Sequence, residues 1–206
     1  MGLRPPLLYR VVAVLSRPVL HGLFRLRVQG TENVPASGGY VLACNHLSNF
    51  DPWPLGMPLW PRRQLRFMAK SELFRTPLAP ILRAGGAFKV RRGEGDVEAM
   101  RTAAELVREG EIVVMFPEGT RREKGLRKKH VARAHTGAAR IALTAGAPLV
   151  PAAIAGTDRL TRLEPLRVAY GEPLDLSSLD GLDQKRAAEA ATELLMARIE
   201  ELHASL

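Results

Sequence analysis

His46 and Asp51 stand five residues apart in the run Asn45-His46-Leu47-Ser48-Asn49-Phe50-Asp51, directly after the apolar stretch Tyr40 to Cys44. If the loop between them folds back, the carboxylate accepts the Nδ1 proton of the imidazole, fixes its tautomer and raises the basicity of Nε2. Such a pair can strip a proton from an alcohol. Asp51 also precedes Pro52, and Asp followed by Pro fits a helix N-cap with Pro at N1. Spacing alone leaves both uses open.

Three further groups of residues could bind an anion. Phe116-Pro117-Glu118-Gly119-Thr120-Arg121 follows the apolar run Ile112 to Phe116, at the kind of strand end where open α/β sheets bind ligands. The same segment continues through Arg122, Lys124, Arg127, Lys128, Lys129 and Arg133, with Glu123 its one acid. No aromatic residue lies between 117 and 169, whereas nucleic-acid surfaces interleave aromatics for base stacking. Gly85-Gly86-Ala87-Phe88-Lys89-Val90-Arg91 lacks the spacing of a nucleotide-binding glycine loop but offers Arg91 at a strand end. Phe67-Met68-Ala69-Lys70-Ser71-Glu72-Leu73-Phe74 puts Lys70 at another strand-to-helix junction.

These residues need a scaffold, and the pattern supplies one. Phe24, Leu26 and Val28 alternate with Arg25, Arg27 and Gln29, as in a half-buried strand. Apolar runs at 40–44, 65–69, 87–90, 112–116, 148–154 and 166–170 read as strands, several of them buried on both faces. Between them lie helical periods. Asp96 can cap a helix with Val97, Met100, Ala104 and Val107 on one face and Gly110 at its end. A second helix covers 134–145 and closes at Gly146. A third covers 183–202, with Ala191, Leu194, Leu195, Ile199 and Leu202 on one stripe. Strands alternating with helices predict a single α/β domain with a largely parallel central sheet flanked by helices.

Composition narrows the partners. The 206 residues are 46% hydrophobic, carry 30 Lys and Arg against 21 acids, and have a net charge of +9. That balance permits a sizeable core, excludes a disordered chain and points to an anionic partner. The single cysteine, Cys44, excludes an intrachain disulfide framework or a multi-thiolate zinc site and fits a reducing compartment. At the N-terminus, Arg10 and Arg17 leave an uncharged stretch of six residues, Val11 to Ser16. A membrane span needs about 18 apolar residues and a secretory signal an unbroken core of about 7–15. Residues 1–24 therefore read as one or two amphipathic helices suited to a membrane interface, ahead of a domain at 25–206.

In this order, the segments resemble the phospholipid/glycerol acyltransferase family, in particular the 1-acyl-glycerol-3-phosphate (lysophosphatidic acid) acyltransferases. The matching blocks are Asn45-His46-x-Ser48-x-x-Asp51, Gly86 to Arg91, Phe116 to Arg121 and Val150-Pro151-Ala152-Ala153-Ile154. The Lys70 segment matches as well, and the resemblance spans roughly residues 25–170. Arg122 departs from the family, which often has Ser there, and His130 to Gly137 is longer and more basic than the usual link.

The resemblance implies a mechanism. His46, oriented by Asp51, takes a proton from the free hydroxyl of a lysophospholipid, whose oxygen attacks the thioester of acyl-CoA or acyl-carrier protein without a metal or cofactor. Lys70 and Arg121 hold the acceptor phosphate, assisted by Arg91, since a guanidinium fork matches phosphate oxygens. Glu118 contacts the glycerol hydroxyl or shapes the site, and backbone amides at Gly119 and Thr120 are candidate oxyanion donors. The expected partners are the lysophospholipid, the acyl donor and a membrane surface, with no nucleic acid. The expected place is the cytoplasmic face of the cell membrane, peripheral or monotopic. Other acceptors, including glycerol 3-phosphate, fit the same chemistry. Two other classes stay open: Cys44 as nucleophile in a ping-pong reaction, and a basic membrane- or nucleic-acid-binding module without catalysis.

Overall fold

The computed structural model describes residues 5–61, 63–77, 79–90, 96–118 and 134–206. An N-terminal helix α1 (Leu7–Pro18) runs into a π-helical turn at Val19–Leu23. There follow β1 (Arg27–Gln29), β2 (Tyr40–Cys44), α2 (Pro52–Gly56), β3 (Leu65–Lys70), α3 (Ala79–Ala84), β4 (Ala87–Val90), α4 (Asp96–Arg108), β5 (Ile112–Met115), α5 (Gly137–Ala145), β6 (Leu149–Ala155), β7 (Arg167–Tyr170) and α6 (Gln184–Ala204). The seven strands form one sheet in the order β1-β7-β6-β2-β5-β3-β4.

Five neighbouring strands, β6, β2, β5, β3 and β4, pair in parallel. β7 runs antiparallel to β6, and β1 runs parallel to β7. The reversal follows from the connection: residues 156–166 contain a 3-10 turn at Thr157–Arg162 and no α-helix. A parallel return needs a crossover of a dozen or more residues, usually helical.

The centre of the sheet is buried on both faces. Along β2, Tyr40, Leu42 and Cys44 join one cluster with α1 and α2, while Val41 and Ala43 join another with α4, α5 and α6. All five are 0% exposed, so β2 is apolar without alternation because neither side meets water. The second cluster is rich in alanine, with Ala103, Ala104, Ala138, Ala139, Ala142, Ala188 and Ala191 packed among Val, Ile and Leu.

Three expectations about side chains and boundaries change in detail. The first strand is shorter than the alternation from Phe24 suggests, because Arg25 has φ +47 and the extended run starts at Arg27. The burial alternation survives, with Phe24 and Leu26 inside and Arg25 and Arg27 outside. Val97 is 79% exposed, since the buried stripe of α4 runs through Ala99, Ala103, Ala104 and Val107, and Val97 lies to one side of it on the first turn. Leu194 is 45% exposed for a similar reason: it stands about 100° around the helix from buried Leu195.

Within the Gly86 motif, the glycine is required by geometry. It has φ +96, and a Cβ there would strike the carbonyl oxygen of Leu65 at the start of β3.

Candidate active site

The parallel strands end along one edge, and His46 leaves that edge two residues after Cys44, the last residue of β2. Asn45 holds this exit against β6. Its Nδ2 donates to the carbonyl of Ile154 at 3.0 Å and its Oδ1 accepts from the Ile154 N–H at 2.9 Å. The side chain thus supplies both hydrogen bonds of a strand pair just where the backbone of β2 turns away.

Beyond Asn45 the chain folds back on Asp51. The Asp51 side chain is 0% exposed and His46 is 17% exposed. Asp51 Oδ2 accepts from His46 Nδ1 at 2.7 Å, from the Leu47 N–H at 2.8 Å and from the Ser48 N–H at 2.9 Å. Its Oδ1 accepts from the hydroxyl of Thr157 at 2.5 Å. A carboxylate that only accepts requires the proton on Nδ1 of His46, which leaves the Nε2 lone pair free to take a proton. Asp51 makes no capping bond to α2, and its φ and ψ, −50° and −42°, are helical. Of the two uses open from the sequence, the structure adopts the orienting one.

The imidazole is fixed from a second direction. Phe116, the residue after β5, stacks on it with ring centroids 4.1 Å apart and planes 21° apart. Stacking sets the ring plane and the Asp51 bond sets the rotation within it, so Nε2 has one direction in which to work. On the other side of the loop, α2 is tied to β7, where Tyr170 donates to the Leu55 carbonyl at 2.5 Å. Trp53 of α2 meets Phe24 edge-on, with centroids 6.2 Å apart.

Glu118 is half-buried two residues beyond Phe116. Burial pushes the Cys44 thiol well above its ordinary range, and the nearby charges of Asp51 and Glu118 raise it further. The sulfur is fully enclosed and donates to Asn45 Oδ1 at 3.5 Å. A buried thiol whose pKa is raised is a poor nucleophile, which weighs against the ping-pong alternative.

Lys70 is exposed at the end of β3, two strands from β2, or roughly 10 Å at the usual strand spacing. It lies in register with Val90, the last residue of β4. Arg91, Gly119, Thr120 and Arg121 lie outside the described residues. The strand ends thus bring His46, Asp51, Glu118 and Lys70 to one edge. Sequence reasoning gave Asn45 and Phe116 no structural task and missed Thr157 altogether. The one local signal for Thr157 is its position after Gly156, three residues beyond the fourth matching block.

A family model described as "Acyltransferase" matches residues 25–155. The 1-acyl-sn-glycerol-3-phosphate acyltransferase of Bacillus subtilis is 34% identical over 203 residues, covering 97% of this chain and 98% of that one. The chloroplastic 1-acyl-sn-glycerol-3-phosphate acyltransferase BAT2 of Brassica napus is 29% identical over 145 residues, covering 68% of this chain and 40% of its own. Among solved structures, the 1-acyl-sn-glycerophosphate (LPA) acyltransferase PlsC from Thermotoga maritima superposes with a TM-score of 0.69 at 25% identity, over 94% of this chain and 79% of that one.

Proposed function

The chain belongs to the acyltransferase family, and we propose that it transfers a fatty acyl group to the free hydroxyl of 1-acyl-glycerol 3-phosphate, making phosphatidic acid for phospholipid synthesis. It is an enzyme of the O-acyltransferase class. The acyl donor is a thioester, acyl-CoA or acyl-carrier protein. The observation that carries the proposal is the His46–Asp51 couple at the edge where the parallel strands end, with no hydrogen bond to Nε2 among the described residues.

The chemistry follows from that couple. Nε2 of His46 takes the hydroxyl proton as the oxygen forms its bond to the thioester carbonyl carbon. Asp51 stabilises the imidazolium. The tetrahedral intermediate then expels the thiolate, which recovers the proton from His46. General-base assistance of this kind contributes about 10²–10⁴-fold; positioning and stabilisation of the developing oxyanion supply much of the rest. No step calls for a metal or cofactor. Lys70, with Arg91 and Arg121, serves the acceptor phosphate. Glu118 serves the glycerol end, and Gly119 and Thr120 offer backbone donors to the oxyanion.

A lipid acceptor and product call for access from a bilayer. No described helix is long and apolar enough to cross a membrane. Instead, α1 buries Ala13 and turns Leu7, Val11, Val14 and Leu15 outward, at 73%, 46%, 53% and 66% exposure. A helix with such an uncovered apolar face, bordered by Arg10 and Arg17, suits the headgroup boundary. The proposed location is accordingly the cytoplasmic face of the membrane, with peripheral or monotopic attachment through α1. That helix shares the apolar cluster of α2, so attachment would hold the catalytic loop near the surface that supplies the lipid.

Mass spectrometry of the lipids formed by the purified protein from a panel of lysophospholipids, glycerol 3-phosphate, acyl-CoA and acyl-carrier protein tests the proposal. Phosphatidic acid formed in preference to other products supports it. Preference for another acceptor would reassign the substrate within the same chemistry.

A further inference from the structure

We propose that Thr157 is a positioning residue of the catalytic couple, holding Asp51 from the far side and thereby setting the orientation of His46; this rests on His46 acting as the base. Asp51 Oδ2 is filled by His46 and two loop amides, whereas Oδ1 meets only the Thr157 hydroxyl among the described residues, at 2.5 Å. Both side chains are out of water, Thr157 at 2% and Asp51 at 0% exposure. Without the hydroxyl, Oδ1 would be a buried carboxylate oxygen with no donor, and the carboxyl group would be free to turn about its Cβ–Cγ bond. Because Oδ2 carries the bond to Nδ1, that rotation would carry the imidazole with it.

The source of this hydroxyl is what distinguishes it from the other donors. His46, Leu47 and Ser48 belong to the loop that Asp51 itself closes, but Thr157 comes from 106 residues away. It sits just beyond β6, the neighbour of β2 in the sheet. Gly156 makes the approach possible: it has φ +93, and a Cβ there would lie 2.7 Å from the Pro165 carbonyl oxygen. Together with the Asn45 bridge to Ile154, the Thr157 bond pins the loop to β6 at both of its ends. The catalytic geometry is thereby referred to the rigid sheet rather than to a loop alone.

The test compares variants that differ in the hydroxyl. Thr157→Val keeps the shape of Thr157, and the pair Thr157→Ser and Thr157→Ala differ from each other in the same atom. Rates are measured with 1-acyl-glycerol 3-phosphate and acyl-CoA, alongside His46→Ala and thermal melting. Losing a hydrogen bond to a charged group should lower kcat by about ten- to a hundredfold in Val and Ala. KM for both substrates should stay near wild type, and Ser should restore kcat. Wild-type kcat in Thr157→Val, with His46→Ala inactive, would overturn the role of Thr157 alone. Equal losses in Ser and Ala would also overturn it, leaving Thr157 a packing residue. An active His46→Ala would remove the base itself, whatever the Thr157 variants do.

Discussion

Asp51 has two separable tasks, and two substitutions divide them. Its carboxylate accepts three donors at Oδ2 and one at Oδ1. In Asp51→Asn the amide oxygen can take the three donors, while the NH₂ group faces Thr157, whose hydroxyl can turn to accept. The loop geometry should survive, with a stability change below about 1 kcal/mol. The charge is lost, however, and replacing a charge-assisted bond to the imidazolium by a neutral one forfeits about 1–1.5 kcal/mol, or about one decade in kcat. Asp51→Ala also strips the Leu47 and Ser48 amides of their acceptor. At about 1–3 kcal/mol for each orphaned donor, and toward the lower end because both residues are half-buried, the loss should be roughly 2–4 kcal/mol. With an m-value near 2 kcal/mol/M for a domain of this size, the urea midpoint should fall by about 1–2 M. Equilibrium urea unfolding and single-turnover acyl transfer on both variants give the two readings. A fully active Asp51→Asn would refute the need for the charge. An Asp51→Ala that unfolds with wild-type enzyme would refute the loop clamp.

Three other outcomes follow from the same structure. Cys44→Ala should fold with a loss of about 1 kcal/mol and keep most of its activity, and donor alone should leave no acyl group on Cys44; a near-stoichiometric acylated Cys44 peptide with a dead Cys44→Ala would contradict this. Lys70→Ala should raise the apparent constant for a phosphate-bearing acceptor by about one to two decades while leaving that for the donor nearly unchanged; no change for the acceptor would remove Lys70 from recognition. Leu7→Asp combined with Leu15→Asp should cut flotation with anionic vesicles by two decades or more, since each buried apolar side chain is worth about 1.5–3 kcal/mol; flotation of the variant at the wild-type level, or complete release of the wild type by salt alone, would refute apolar attachment through α1.

The legible parts of the fold are those fixed by local chemistry. Tyr40 to Cys44 reads as a buried strand because five apolar residues in a row need cover on both faces, and β2 has it. Gly110 and Gly146 end α4 and α5 as expected, at φ +91 and +61. The His46–Asp51 pairing is also local, since five residues are enough for the loop to close on itself. Long-range features were not legible. Thr157 reaches Asp51 across 106 residues, and nothing near Thr157 in the chain announces a carboxylate. The stacking of Phe116 on His46 depends on β5 lying beside β2, a neighbour relation that strand patterns do not specify. The exposure of Val97 and Leu194 depends on which side of each helix the sheet covers, so an apolar residue at the margin of a stripe can fall on either side of the boundary.

The most direct measurement is the rate of phosphatidic acid formation by purified, folded His46→Ala against wild type, with 1-acyl-glycerol 3-phosphate and acyl-CoA as substrates. Asp51 and Phe116 hold the His46 ring with Nδ1 engaged, which directs Nε2 to take the hydroxyl proton. The rate should fall by about 10²–10⁴-fold or more, with circular dichroism and a cooperative thermal transition showing that the variant is folded. Acyl transfer by folded His46→Ala at near the wild-type rate would contradict the central claim.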